Sequence, residues 1–132
     1  MTWELRHDAR PWTANSARSA SHWSKNAART KEWRTAFMLL AREAGVPPLG
    51  ACTIVVTPYL RNRSGQQDVG ACAPAAKAAI DGIRDAGVWP DDTADYVTQL
   101  VFNAPVYGQG DALVVTITPA MPTVQPGTYL AR

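Results

Sequence analysis

The fold turns on the stretch Asp68-Val69-Gly70-Ala71-Cys72-Ala73-Pro74-Ala75-Ala76-Lys77, which runs on through Ile80-Asp81-Gly82-Ile83 and Ala86-Gly87-Val88 to Asp91-Asp92. Pro74 suits the first turn of a helix, where the backbone N–H that proline lacks has no intrahelical partner. Ala76, Ile80 and Ile83 then recur at helical spacing and face a core, with Ala73 and Ala79 beside them. Lys77, Asp81, Arg84 and Asp85 fall on the other side, at i, i+4, i+7 and i+8. Gly87 closes the helix. A loop carboxylate thus leads into a helix with one lysine, and a tight turn leads out to two more carboxylates. Such a layout can gather separated acids around a hard cation such as Mg²⁺ or Mn²⁺, which takes oxygen ligands and keeps room for water and phosphate. A lysine beside them adds a point charge for a phosphate. The pattern points to phosphodiester chemistry.

Upstream, Ala51-Cys52-Thr53-Ile54-Val55-Val56-Thr57-Pro58-Tyr59-Leu60 is β-branched and apolar and predicts a buried strand. Before it, Trp33, Phe37, Leu40 and Ala41 recur at helical spacing. With Thr30 as N-cap, Gly45 as stop and Pro47-Pro48 beyond, that helix is expected over 31–44. Trp3–His7 reads as a short strand. Residues 8–30 are rich in Ser, Ala, Asn and Arg and show no sustained period, so they read as a long basic arm or loop.

Downstream, Tyr96–Asn103 and Ala112–Thr118 read as two strands joined as a hairpin through Gly108-Gln109-Gly110-Asp111. The two glycines mark a turn rather than a phosphate loop, because no helix follows. Residues 119–132 hold Pro119, Pro122, Pro126 and Gly127 and read as an irregular tail. The expected order is β-α-β-α-β-β, an α/β (α+β) single domain over 1–132 with two helices packed on a mixed sheet.

At 132 residues the chain can bury a core without disulfides or a structural metal. Its N-terminus does not read as a signal peptide and no segment approaches a membrane span, so a soluble, cytoplasmic protein is expected. Cys52 and Cys72 form no CxxC pair and stand beside no histidine, which argues against zinc. Cys52 reads as a buried apolar residue, and Cys72, near the site, as partly exposed; both are expected as reduced thiols.

The net charge of +2 hides an asymmetry. Residues 1–67 carry ten Lys and Arg against four acids; residues 68–132 carry three bases against seven acids. A basic half attracts a polyanion without reading its sequence. The bland alternative is a solvated surface whose charges sort by accident.

With these elements in place, the chain resembles the RusA family of Holliday-junction resolvases, often encoded by phages and prophages. That family's signature runs Asp-x-Asp-Asn, a helix with Lys and a Leu-Asp-x-Leu-like step, then Gly-Val and Asp-Asp before a strand. The matching positions are Asp68, Lys77, Ile80-Asp81-Gly82-Ile83, Gly87-Val88 and Asp91-Asp92. The N-terminal half matches through Trp23 and Lys31-Glu32-Trp33-Arg34, so the resemblance spans about residues 10 to 118. Gly70 and Ala71 stand where the signature has its second Asp and its Asn. In the other alignment Asp68 takes the second Asp position and Gln66 the first; one acid is lost either way.

The resemblance implies a homodimeric, Mg²⁺-dependent endonuclease that binds four-way DNA junctions and nicks opposed strands in recombination and repair, within a bacterial host cell. It implies Asp68, Asp91 and Asp92 as catalytic metal ligands, Lys77 near the scissile phosphate or the attacking water, and Asp81 orienting Lys77. Only one of Asp91 and Asp92 is expected to reach a metal, because neighbours in extended chain point opposite ways. The plain alternatives are a helix-capping Asp68, turn-forming Asp91 and Asp92, and a Lys77–Asp81 pair worth a few tenths of a kcal/mol. Arg10, Arg18, Lys25, Arg29, Arg61 and Arg63 are candidate phosphate contacts on DNA. Trp12, His22 and Trp23 are candidates to wedge or stack at an opened junction, or to pack in a core or dimer contact. Three functions remain in view: an active junction endonuclease, a junction-binding protein with an eroded site, and an α/β interaction module with no nucleic-acid role.

Overall fold

A computed structural model describes residues 1–13, 20–63, 67–91 and 95–120, with the backbone alone for 20–25. The elements are β1 (Trp3–His7), α1 (Ala20–Glu43), β2 (Cys52–Leu60), α2 (Ala73–Asp85), β3 (Val97–Phe102), β4 (Val106–Tyr107) and β5 (Ala112–Pro119). They form one mixed five-stranded sheet with two helices, the α+β class the sequence predicts.

β2 is the organising strand. Its residues alternate between buried and half-buried along its whole length. Cys52, Ile54 and Val56 point to the face that carries the helices, where full burial of a side chain such as Ile54 contributes about 1.5–3 kcal/mol. β5 pairs antiparallel with β2 on one side, from Cys52↔Pro119 to Tyr59↔Ala112. β1 pairs antiparallel with the far side of β5. On its other side β2 pairs in parallel with β3 and, further along, with β4. β3 and β4 are two pieces of one edge, separated by Asn103-Ala104-Pro105. Asn103 still donates its N–H to the Val56 carbonyl at 2.9 Å, and Pro105 has no N–H to give.

The predicted hairpin is therefore a correction. The last long strands do not pair with each other, because β2 lies between them. A long strand such as β2 needs both edges paired, because an open edge leaves a row of unpaired N–H and C=O groups. The chain meets that need by passing over the end of β2 at Gly108–Asp111, with positive φ at Gly108 (91°) and Gly110 (82°). β2, α2 and β3 make the crossover that parallel strands require.

The first helix is also longer than expected. It begins at Ala20, inside the segment read as an arm, and Thr30 is not its cap. The Thr30 hydroxyl donates to the Asn26 carbonyl at 2.7 Å, one turn back. Its end is as predicted. Gly45 sits at φ 70°, with Gly45 N–H on Arg42 O at 3.0 Å and Val46 N–H on Ala41 O at 3.1 Å. Trp33, Phe37 and Ala41 are its buried stripe. His7 and Trp12 meet Trp33 edge-on, at 4.7 and 5.5 Å between ring centres. Trp12 is thus core, not a wedge; the His22 and Trp23 side chains lie outside the described residues.

α2 buries Ala75, Ala76, Ala78, Ala79, Ile80, Gly82 and Ile83, while Ala73 is exposed. Small residues let α1 and α2 approach closely. A Cβ on Gly82 would overlap the Arg34 carbonyl oxygen and stand 3.0 Å from the Met38 nitrogen. Arg34 forks onto Asp85 beside this crossing through Nε and Nη2, the latter at 2.9 Å. The predicted tail begins one residue early, since Pro119 ends β5; residues 121–132 lie outside the described residues.

Candidate functional site

The polar face of α2 carries the predicted chemistry. Lys77 Nζ lies 3.2 Å from Asp81 Oδ1, one turn on, so the plain pairing exists. Arg84, on the same face, places Nη1 3.7 Å from Asp91 Oδ1 and Nη2 3.8 Å from Asp85 Oδ1. Asp91 reaches Arg84 because the chain doubles back after the helix. Gly87 at φ 94° makes the reversal. Val88 and Trp89 are buried, and the Val88 carbonyl accepts the Leu49 N–H at 2.9 Å. Pro90 and Asp91 then emerge at the surface.

Asp91 is not at a strand start, as the sequence suggested. β3 begins at Val97, so the argument from extended alternation has no hold on Asp91. Asp92 lies outside the described residues, as do Arg18 and the Lys25 side chain.

Asp68 is exposed on the turn that enters α2. Its carbonyl accepts the Ala71 N–H at 3.0 Å, and the Gly70 carbonyl accepts the Ala73 N–H at 3.1 Å. Gly70 has φ 83°, a left-handed conformation suited to glycine. Gly70, set against an acid in one of the two alignments with the RusA signature, is therefore a turn position without a side chain. Beside Asp68, Gln67 is buried and donates its Nε2 to the Pro11 carbonyl at 3.2 Å. Cys72 is buried rather than partly exposed, and burial pushes its thiol up to about 11. It is an inert core residue, and Cys52 is likewise buried and unpaired with it.

Among the described residues, no three His, Cys, Asp or Glu side chains gather as metal ligands. The acids near α2 are held by cations instead: Asp81 by Lys77, Asp91 by Arg84, Asp85 by Arg34.

The basic candidates divide into two places. Arg10 and Arg61 converge on Asp111, with Nη1 of Arg10 3.6 Å from Oδ1 and Nη2 of Arg61 3.5 Å from Oδ2. Arg61 also donates its backbone N–H to Asp111 Oδ1 at 2.8 Å. That bond first, and then the two guanidinium charges, hold the Asp111 carboxyl below the usual carboxylate range against the upward pull of burial. Arg63 stacks over Tyr107 at 4.5 Å. Arg29 is elsewhere, on an exposed stretch of α1, donating to Asn26 Oδ1 at 3.3 Å.

Sequence reasoning missed Asp111, Tyr107 and Arg84. By sequence Asp111 reads as a turn residue only. Its signal was there: an acid where a chain crosses the end of a strand followed by Arg61 and Arg63.

Comparison with known proteins adds no relative: no protein-family model matches the chain, and no curated protein matches its sequence. No helix is long and apolar enough to cross a membrane, among the described residues.

Proposed function

We propose that this chain is a RusA-like endonuclease of the bacterial cytoplasm, a homodimer that nicks four-way DNA junctions symmetrically with Mg²⁺ or Mn²⁺ in recombination and repair. The observation that carries the reading is the return of the chain after α2, which brings Asp91 to the helix face bearing Lys77 and Asp81. Lys77, Asp81 and Arg84 share that face, and Arg84 pairs with Asp91. A four-way junction has approximate two-fold symmetry, and paired incisions need two sites related by a two-fold axis.

The donor set suits a hard cation, being carboxylate oxygens with no His or Cys among them. Asp68 and Asp91 would hold it, with Asp92 as the further acid. When bound, such an ion activates water and neutralises charge on the phosphoryl group. The chain's own residues do the rest. Asp81 orients Lys77, whose ammonium is aimed by that pair and serves as a point charge for a phosphate oxygen. Arg84 pairs with the Asp91 carboxylate and would have to yield it to the ion.

The test is incision of a labelled synthetic four-way junction with Mg²⁺ and with EDTA, beside a linear duplex. Symmetric nicks confined to the junction and abolished by EDTA support the proposal. No incision in Mg²⁺ or Mn²⁺ overturns it.

A second reading, junction binding without cleavage, is favoured by Gly70, because a left-handed turn stands where the signature has an acid. Tight, branch-selective binding with no nicks in either metal would establish it.

A further inference from the structure

We propose that Asp111 assembles a seat for the phosphodiester backbone, gathering Arg10 and Arg61 beside Arg63 and next to the Asp68 turn. The inference rests on the nucleic-acid reading above and names where and how the chain grips the polyanion.

Asp111 is a partly buried acid on the crossing loop. Its side chain is only 17% exposed, yet it faces two guanidinium groups from segments far apart in sequence. It accepts the Arg61 backbone N–H at 2.8 Å and stands 3.5 and 3.6 Å from the Arg61 and Arg10 guanidinium groups. The carboxylate therefore draws guanidinium groups from two distant segments to one place. Arg61 is 75% exposed, so its fork faces water. Arg63 lies flat on Tyr107, so its plane is fixed by the ring. Planar forks of this kind match phosphate oxygens two at a time. Arg63 covers that face of Tyr107, so the contact is to backbone phosphate and not to a stacked base. It carries no sequence preference.

The seat is tied to the candidate site. Pro11 follows Arg10, Gln67 precedes Asp68, and the buried Gln67 side chain bonds the Pro11 carbonyl. A phosphate held by Arg10 lies on the chain segment anchored to the Asp68 turn. Asp111 is a positioning residue here, acting through the arginines.

The test is fluorescence anisotropy of the full chain with a labelled duplex and a labelled four-way junction across a KCl series. The variants are Asp111→Asn and the Arg61→Gln/Arg63→Gln pair, each checked for unchanged circular dichroism. Removing two phosphate contacts should lower the slope of log K against log salt by about 1.8, at roughly 0.9 per contact. Asp111→Asn keeps an acceptor for the Arg61 N–H and adds net positive charge. Charge alone predicts tighter binding; loss of aim predicts weaker binding, and the seat requires the weaker result. Tighter binding by Asp111→Asn, or a wild-type slope in the arginine pair, overturns the seat even if junctions are still nicked. Loss of duplex and junction binding alike in the arginine pair, with no branch preference in the wild type, upholds the seat and overturns the junction reading. Absence of any DNA binding overturns both.

Discussion

Asp111 accepts the backbone N–H of Arg61 at 2.8 Å, so the side chain that closes β2 comes from the loop that crosses over it. The bond satisfies a donor just past the last residue of the strand. Asp111→Ala should lower stability by about 1–2 kcal/mol, and Asp111→Asn by less, measured by urea unfolding. The Asp111 carboxyl is depressed when folded. Its contribution is thus full above the unfolded value, about 3.9, and is lost as pH falls through the lower folded value. Equal acid sensitivity in wild type and Asp111→Asn would contradict this.

His7 should make the protein sensitive to mild acid. Its ring meets Trp33 and Phe37, and its Nε2 is enclosed without a hydrogen-bond partner among the described residues. Burial lowers its pKa, against opposing pulls from Glu32 and Asp8. The unfolded chain therefore takes up a proton first as pH drops below about 6.5. Stability linked to His7 is complete above that value and declines as pH falls towards the folded pKa. The Tm of the wild type should fall between pH 7.5 and 5 more than that of His7→Phe. His22 is present in both, so it cancels in the difference. Parallel Tm profiles would contradict the assignment.

Gly82→Ala should destabilise the fold by about 1–3 kcal/mol, because the new methyl group overlaps the Arg34 carbonyl and pushes α1 off α2. At this size that is a Tm drop of roughly 4 °C per kcal/mol. Breaking the partly exposed Arg34–Asp85 fork by Arg34→Ala should cost less, about 1 kcal/mol. The reverse ranking would show that backbone approach is not what fixes the two helices.

Gly70→Ala should cost about 1–2 kcal/mol for the left-handed conformation alone, since nothing stands within 4 Å of the new Cβ. Gly70→Asn should cost less, because Asn visits that region more readily. Denaturant midpoints of the two variants decide it.

The endonuclease reading makes a further demand. Asp68→Asn, and separately Asp91→Asn with Asp92→Asn, should each abolish nicking while sparing junction binding. Arg84 competes for Asp91. Arg84→Gln should lower the Mg²⁺ concentration needed for half-maximal nicking. Nicking that survives both Asp changes would place the chemistry elsewhere.

Much of this was readable from local pattern. β2 and α2 advertise themselves because each has a face fully committed to the core: Ile54 and Val56 on the strand, Ile80 and Ile83 on the helix. The stop at Gly45 was readable for the same reason, a backbone need met by one residue type. The first half of α1 was not. Ala27 to Glu32 are exposed, so no apolar stripe was required there. Only the helix propensity of Ala27, Ala28, Arg29 and Lys31 marked it. Strand partners were hidden too, since nothing in Val97–Phe102 or Ala112–Pro119 says which side of β2 each will take. At the site, the pairing of Lys77 with Asp81 follows from helical spacing, but that of Arg84 with Asp91 depends on the reversal at Gly87.

β5 stands between β1 and β2, and this sets the order in which the molecule can be made. As the chain leaves the ribosome, β1 emerges first and finds no partner for more than a hundred residues. β2, α2, β3 and β4 can associate early, leaving one edge of β2 bare. Only when Ala112–Pro119 arrives does a strand slot between them and join β1 to the rest of the sheet. Such long-range closure slows folding and leaves an open strand edge exposed meanwhile. A nascent chain halted before residue 112 is an incomplete sheet, and chaperones would have their longest hold on this protein at that stage.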